Sequence, residues 1–185
     1  MGKCVCPWWL GYILVSPLRR FGQDPAALLA PYVREGMTVL EPGPGMGFFT
    51  LELARLVGPS GRVVAVDVQP KMLEALKRRA AKAGLLDRIE ARAASSNSLS
   101  VTDLAGRMDF ALAFAVVHEL PAAAPFFAEV ATTLKPGACM LLAEPVVHVR
   151  TARFESELRL AAQAGFNPVE YPSIRRNRAV LLRKP

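Results

Sequence analysis

Three glycines spaced two residues apart follow an early apolar run and indicate a close approach between backbone and ligand. Gly43, Gly45 and Gly47 stand in the stretch VLEPGPGMGFFTLELA, which begins at Val39. Glycine has no Cβ, so such a loop can approach a bound molecule closely. A dinucleotide-binding fingerprint needs a glycine where Phe48 stands, and a phosphate-binding P-loop needs a Gly-Lys-Ser/Thr sequence that is missing here. The spacing therefore disfavours both kinds of phosphate site.

Two carboxylates flank this loop where each could contact a ligand. Glu41 precedes the glycines, and Asp67 ends the apolar run RVVAVD, 20 residues beyond Gly47. A carboxylate at the end of a strand can accept both hydroxyl hydrogens of a ribose, although Asp67 could instead cap the following helix. Together the loop and the strand-end acid indicate an adenosyl group bound across the first two strands. A tight turn without a ligand is the alternative.

Short apolar runs alternate with helical patterns from about residue 37, which predicts a parallel sheet covered by helices. The runs lack strict polar alternation, as is typical of strands covered on both faces. The predicted strands are Thr38–Glu41, Val63–Asp67, Ile89–Ala93, Met108–Ala115, Cys139–Ala143 and Ala179–Arg183. The predicted helices are one that is capped by Asp24 and reaches about Val33, then Phe48–Val57, Pro70–Ala83, Ala122–Leu134 and Ala152–Ala164.

Length and composition favour one domain over residues 1–185, with an N-terminal extension or lid at 1–35 and a core at 36–185. The chain has 185 residues, is 52% hydrophobic and carries a net charge of +7. No apolar run is long enough to span a membrane, and the N-terminus lacks a cleavage site, so we expect a cytoplasmic protein. Cys4 and Cys6 make an incomplete metal site, and we expect no bound metal.

Four segments together resemble the class I S-adenosylmethionine-dependent methyltransferases. VLEPGPGMGFFTLELA is similar to their first motif, VVAVDVQPKMLEALKRRA to their ribose-binding stretch, MDFALAFAVVHELP to their fourth strand and LKPGACMLLAEP to the turn into their fifth. Their order and spacing are more specific than any single motif, and they look closest to the quinone-biosynthesis and arsenite-type group. The resemblance covers residues 25–185 and implies an α/β fold: a single Rossmann-like, doubly wound domain with a mostly parallel seven-stranded sheet, helices on both faces and an N-terminal extension.

The resemblance implies S-adenosylmethionine as cofactor and assigns roles to residues at the ends of the strands. Glu41 would supply negative charge toward the ammonium group, Asp67 would hold the ribose, and Val68 and Met72 would flank the adenine. After the third strand many family members carry an acidic residue, where this chain has serines. The predicted cofactor-binding residues are Glu41, Gly43, Gly45, Gly47, Asp67, Val68, Met72, Ser95, Ser96 and Ala115.

The ends of the fourth and fifth predicted strands carry the candidate acceptor-binding residues. His118 and Glu119 follow the fourth strand in VVHELP, while Glu144 and His148 leave the fifth in AEPVVHVR. Ligands of such sheets bind beyond the carboxyl ends of the strands. His118 is the candidate general base, because imidazole titrates near neutral pH. A loop histidine that only makes a structural hydrogen bond is the alternative.

An aromatic cluster near the N-terminus is the other candidate for contact with the acceptor. Trp8, Trp9 and Tyr12 in PWWLGY could close over the cofactor as a lid and form an apolar or cation–π wall. Packing beneath the first helix and contact with a membrane surface are the alternatives.

The predicted function is methyl transfer from S-adenosylmethionine to a small-molecule acceptor. The patterns typical of nucleic-acid amine and cytosine methylation are missing, so nucleic acid is a less favoured partner that the basic charge keeps open. The alternatives are an RNA or protein methyltransferase docking through the basic surface, and a non-catalytic S-adenosylmethionine-binding module. The acceptor atom and the oligomeric state are left open.

Overall fold

The computed structural model describes residues 23–95 and 97–185. The strands are β1 Thr38–Pro42, β2 Arg62–Asp67, β3 Ile89–Ala93, β4 Met108–Phe114, β5 Leu134–Pro145, β6 Asn167–Glu170 and β7 Asn177–Arg183. The α-helices are α1 Pro25–Leu29, α2 Thr50–Leu56, α3 Pro70–Lys82, α4 Ala123–Thr133 and α5 Thr151–Gln163. The predictions for six residues lie outside the described ranges: Trp8, Trp9, Tyr12 and Ser96 as binding residues, and Cys4 and Cys6 as an incomplete metal site.

The sheet has seven strands in the order β3-β2-β1-β4-β5-β7-β6. Within it β1, β2 and β3 pair in parallel, as do β4 and β5, whereas β7 runs antiparallel to both β5 and β6. The predicted α/β class with a mostly parallel seven-stranded sheet is confirmed. By their contacts the residues form two compact units, divided between residues 94 and 95.

The first unit positions the glycine loop between β1 and α2 and places Asp67 at the end of β2. Four successive residues of β1 are buried, and Leu40 pairs with Val64 of β2. Helix α3 begins with Pro70 and buries one apolar stripe at helical spacing: Met72, Leu73, Ala75, Leu76 and Ala80. Gly84 follows it with a φ of +67°, a conformation in which glycine ends helices without strain.

The second unit departs from the predicted strand pattern in two places. The sequence Lys135-Pro136-Gly137 predicts a turn before the fifth strand, whereas β5 begins at Leu134 and includes it. Leu134 pairs with Met108 and Cys139 pairs with Phe110, so the extra residues form a bulge opposite β4. Strand β6 escapes prediction because its four residues are all exposed and include a proline.

Helix length sets a limit on membrane insertion. The longest helices of the described ranges, α3 and α5, have 13 residues each, and none there is long and apolar enough to cross a bilayer.

Candidate active site

The glycine loop is held by its own backbone. The Gly43 N–H donates a 2.8 Å hydrogen bond to the Val66 carbonyl, which ties the loop to β2. Gly45 and Gly47 have φ values of +54° and +85°, where a side chain would be strained. A Cβ at Gly47 would collide with Leu76 Cδ1, whereas a Cβ at Gly45 would meet no atom of residues 23–95 or 97–185 within 4 Å. Gly47 therefore serves packing, and Gly45 faces space that the described part of the chain leaves open.

Asp67 links the end of β2 to the glycine loop. Its Oδ2 accepts a 3.2 Å hydrogen bond from the Gly45 N–H, and its Oδ1 accepts a 2.8 Å hydrogen bond from the Gln69 N–H. Burial raises the pKa of Asp67, and these backbone hydrogen bonds oppose the rise. A carboxylate offers about four lone-pair sites. The two bonds therefore orient Asp67 and leave acceptor capacity at both oxygens.

Glu41, at the end of β1, is a buried carboxylate with an incomplete set of partners. It is 3% exposed, and its Oε2 has no hydrogen-bond partner within the described part of the chain. Burial raises the pKa of Glu41 to about 8; the nearby Thr50 hydroxyl lowers it and the Asp67 charge adds to the rise. Thr50 Oγ1 is itself buried without a partner in hydrogen-bonding geometry among residues 23–95 and 97–185. A cation at this point would stabilise the ionised form.

Val68 and Met72 occupy different environments after β2. Val68 is 41% exposed, whereas Met72 is 3% exposed and packs in a buried cluster with Met46 and Ala75. Val68 is thus accessible to a ligand. Met72 supports the loop from the core, and its predicted contact with adenine stays a prediction.

In the second unit, β4 and β5 bring His118 and Glu144 into contact. Glu144 is fully buried on β5, and its Oε1 accepts a 2.7 Å hydrogen bond from the Val117 N–H. Its Oε2 makes a short hydrogen bond with Nδ1 of His118, which stands in the 3-10 turn Val117–Glu119 after β4. Burial lowers the pKa of His118, but the hydrogen bond and charge of Glu144 together with the charge of Glu119 raise it, and the net shift is upward.

The two histidines of the chain stack on each other. The rings of His118 and His148 lie 5.4 Å apart between centroids at an interplanar angle of 8°. His148 is exposed in the loop after β5, while the side chain of His118 is 13% exposed. Glu119 Oε1 lies 4.0 Å from His118 Nε2. The predicted acceptor-binding residues His118, Glu119, Glu144 and His148 thus gather in one cluster.

Helix α5 adds two residues to this cluster that the sequence analysis missed. Arg153 Nη2 donates a 2.7 Å hydrogen bond to the His118 carbonyl, and Arg153 Nε lies 3.3 Å from Glu157 Oε1. Glu157 is 4% exposed on the buried stripe that also holds Phe154 and Ala161. Burial raises the pKa of Glu157 to about 7, and the charge of Glu144 adds to the rise. A glutamate on an apolar helical stripe was the available signal.

The remaining described candidates, Ser95 and Ala115, also belong to the second unit. The Ser95 N–H donates to the Ser98 carbonyl at 3.0 Å, and the exposed Ser95 hydroxyl lies 3.3 Å from the same oxygen. Ala115 has a φ of +57°, which is unfavourable for a residue with a Cβ, and its N–H donates to the Ala143 carbonyl at 2.8 Å. Strained backbone of this kind is concentrated at functional sites.

Comparison with known proteins identifies the family. Residues 33–171 match a family model described as a methyltransferase domain. The structure of a SAM-dependent methyltransferase from Aquifex aeolicus superposes with a TM-score of 0.87 at 25% identity, covering 98% of this chain and all of that one. An arsenite methyltransferase of Halobacterium salinarum is 29% identical over 134 residues, 72% of this chain and 32% of that protein. A ribosomal protein L11 methyltransferase of Pelotomaculum thermopropionicum is 31% identical over 137 residues, 74% of this chain and 41% of that protein.

The names of these relatives point to different acceptors, and the chain spans only 24% to 41% of the length of the curated relatives it matches. The comparisons therefore fix the family and its methyl donor and leave the acceptor open. Since the family model covers three quarters of the chain and a SAM-dependent methyltransferase structure superposes on 98% of it, this chain belongs to the class I S-adenosylmethionine-dependent methyltransferase family.

Proposed function

We propose that this chain transfers a methyl group from S-adenosylmethionine to a small-molecule acceptor, with His118 as the general base. The observation that carries the proposal is the buried pair of His118 and Glu144. A carboxylate on one ring nitrogen fixes the tautomer and leaves the other nitrogen to accept a proton.

The first unit offers groups that fit the cofactor. Gly45 leaves open space beside the backbone, and Glu41 holds a buried carboxylate oxygen without a partner in the described residues, which suits an ammonium group. Asp67 retains lone pairs for the ribose hydroxyls. When bound, S-adenosylmethionine supplies a methyl group on a sulfonium, a good leaving group. These three residues would bind and orient it.

His118 is prepared to accept a proton from the acceptor. With Nδ1 bonded to the Glu144 carboxylate, the lone pair lies on Nε2. The proton of the acceptor's hydroxyl, thiol or amine would move to Nε2 as the acceptor atom attacks, and Glu144 would stabilise the resulting imidazolium. The pKa of His118 lies above its usual value of about 6.5. The rate of transfer should therefore rise with pH in a range above about 6.5, where the ring loses its proton and can act as a base.

The enclosure of His118 favours a small acceptor. Its side chain is only 13% exposed, and the ring of His148 stacks on it, so the reacting atom has to reach a largely covered ring. A folded macromolecule reaches such a base only by extending a side chain or an unstacked base. An RNA substrate is the second candidate, because the loop before β7 carries the exposed arginines Arg175 and Arg176, which can bind phosphates.

The test combines donor binding with labelled transfer. Calorimetry with S-adenosylhomocysteine should show saturable binding that Asp67→Ala weakens and that the surface control Glu90→Gln does not. Tritium-labelled S-adenosylmethionine is then offered with a catechol, a thiol, a primary amine and arsenite, and in parallel with bulk RNA and denatured protein. His118→Asn should reduce transfer by about 10²–10⁴-fold without changing S-adenosylhomocysteine affinity.

Label in an extractable small molecule, lost with His118→Asn, would support the proposal. Label found only in RNA or protein would mean that the acceptor is a macromolecule and not a small molecule. Donor binding without transfer to any acceptor would favour the non-catalytic binding module. An unchanged rate in His118→Asn would remove the general base from the mechanism.

A further inference from the structure

The turn that carries His118 is held from two sides. On one side, Glu144 of β5 accepts the Val117 N–H and bonds to the His118 ring. On the other side, Arg153 of α5 donates to the His118 carbonyl at 2.7 Å. Backbone and ring of the candidate base are therefore anchored by separate elements.

Arg153 is itself fixed by Glu157, one helical turn further along α5. The Arg153 Nε lies 3.3 Å from Glu157 Oε1, a spacing of four residues that places both side chains on one helix face. Glu157 is 4% exposed, and its second oxygen, Oε2, has no hydrogen-bond partner in the described ranges. A carboxylate buried this completely is costly unless a nearby positive charge compensates it. Arg153 is the cation in contact with it.

We propose that Arg153 and Glu157 are positioning residues for His118, with Arg153 fixing the turn and Glu157 fixing Arg153 while balancing its charge beside the ring. The mechanistic part of this inference rests on the proposed role of His118 as base. Its structural part, that two residues of α5 hold the turn and set the charge beside the His118 ring, does not depend on any reaction.

The charges around the ring make the two residues act in opposite directions. The groups that face His118 are Glu119 on its own turn, Glu144 on β5, His148 in the following loop, and Arg153 and Glu157 on α5. The positive charge of Arg153 lowers the pKa of His118, whereas a negative charge on Glu157 favours the protonated ring. Removing the charge of Arg153 should therefore raise the pKa of His118, and removing the charge of Glu157 should lower it.

The test is a histidine NMR titration of the whole chain, which needs no acceptor. The chain has two histidines, so two ring signals are expected, and His148→Gln assigns them. Glu157→Gln keeps the shape and an oxygen acceptor for Arg153, and it should move the His118 midpoint down by about half a pH unit. Arg153→Met removes the charge and should move the midpoint up by a similar amount.

A third variant separates position from charge. Arg153→Lys keeps the positive charge but has no planar fork to reach both the His118 carbonyl and Glu157. It should leave the midpoint within about 0.2 unit of the parent value while lowering kcat at least tenfold with the KM for S-adenosylmethionine unchanged. The matched controls are Glu155→Gln and Arg159→Met, which are exposed on the same helix and should leave both readouts unchanged.

Opposite shifts of the midpoint in Glu157→Gln and Arg153→Met would support the inference even if no acceptor were found. Equal or absent shifts, with only a lower melting temperature, would show a structural ion pair and overturn it. If the shifts are opposite but His118→Asn retains full activity, the arrangement is as inferred and the general-base proposal alone fails.

Discussion

The glycine loop and the His118 cluster hold their key groups by different means. In the loop, backbone N–H groups make the contacts: that of Gly43 donates to the Val66 carbonyl and that of Gly45 donates to the Asp67 carboxylate. In the cluster, side chains from β5 and α5 hold the turn after β4, through Glu144 and Arg153. Every residue except proline supplies a backbone N–H donor, so the loop needs one specific side chain, Asp67, whereas the cluster needs a specific side chain from each of two further elements.

Within the described ranges, each region also contains one buried glutamate with an oxygen that lacks a hydrogen-bond partner, and the surroundings of the two glutamates differ. Glu157 lies against Arg153, a cation of the same unit. Two groups lie near Glu41: the Thr50 hydroxyl lowers the pKa of Glu41, and the negative charge of Asp67 raises it. The contrast indicates that the charge of Glu157 is balanced within the chain. The charge of Glu41 would be balanced by a bound cation such as an ammonium group.

The largest effect is expected from Glu144, the residue on which the second region depends. Glu144→Ala leaves the buried Val117 N–H without its acceptor and the His118 ring without its partner, which should lower the free energy of unfolding by about 3–5 kcal/mol. Glu144→Gln should cost much less, because the amide oxygen still accepts from Val117. Urea denaturation of both variants measures the difference.

The same pair of variants tests the tautomer of His118. The amide group of Glu144→Gln can donate to Nδ1, which would move the ring proton to Nε2 and remove the base. We therefore expect a folded protein with transfer reduced about 10²–10⁴-fold. Full activity in this variant would mean that the Glu144 contact serves the fold alone.

The second largest effect distinguishes two glycines of the first region. Gly47→Ala introduces a Cβ against the buried Leu76 at a φ of +85° and should cost about 3 kcal/mol. Gly45→Ala has open space and should cost about 1 kcal/mol from backbone strain alone. Thermal unfolding with and without S-adenosylhomocysteine reports both.

The ligand separates packing from binding at these two positions. Gly45→Ala should weaken S-adenosylhomocysteine at least tenfold, because the new methyl group fills the space beside the loop. Similar losses of stability in both variants would contradict the division of roles between Gly47 and Gly45.

The sequence predicts the first region better than the second because the residues of the first stand in short recognisable motifs, although the Gly45–Asp67 contact itself spans 22 residues. The spacing of the glycines and the strand-end position of Asp67 indicate the loop, and the predicted strand Ile89–Ala93 has the bounds of β3. In contrast, the contact of Arg153 with His118 spans 35 residues and that of Glu144 with His118 spans 26. No local pattern specifies which side chains of separate elements meet.

The missed parts of the fold have physical reasons as well. Strand β6 is short and fully exposed, so it has no apolar alternation to detect, and it pairs with β7 alone. The Pro136–Gly137 signal is real, since Gly137 has a φ of +77°, but the bulge absorbs it without ending the strand. Glu157 looks like a solvated residue of α5 unless its place on the apolar stripe is noticed.

A smaller effect should follow from Glu41, and it should depend on pH. The pKa of Glu41 is raised from 4.5 to about 8 in the folded chain, so its protonated form stabilises the fold below pH 4.5 and this contribution is lost as the pH rises through 8. Glu41→Gln is neutral at every pH. It should match the parent near pH 4.5 and exceed its free energy of unfolding by about 2 kcal/mol at pH 6, which lies 1.5 units above the unfolded value.

Donor binding gives Glu41→Gln its second readout. If the carboxylate awaits an ammonium group, the variant should bind S-adenosylhomocysteine at least tenfold more weakly at pH 8.5 despite its greater stability. A variant that is more stable and binds equally well would leave Glu41 as a buried acid without a ligand role.

The smallest effect is expected at Thr50, whose fully buried hydroxyl has no partner in the described part of the chain. Thr50→Val removes this hydroxyl and should raise the free energy of unfolding by about 1 kcal/mol at pH 5, where Glu41 is protonated. The hydroxyl lowers the pKa of Glu41, so it favours the ionised carboxylate. The gain should therefore shrink as the pH rises past 8 and Glu41 ionises. Denaturation at pH 5 and pH 9 measures this difference, and an equal gain at both values would mean that the hydroxyl does not interact with Glu41.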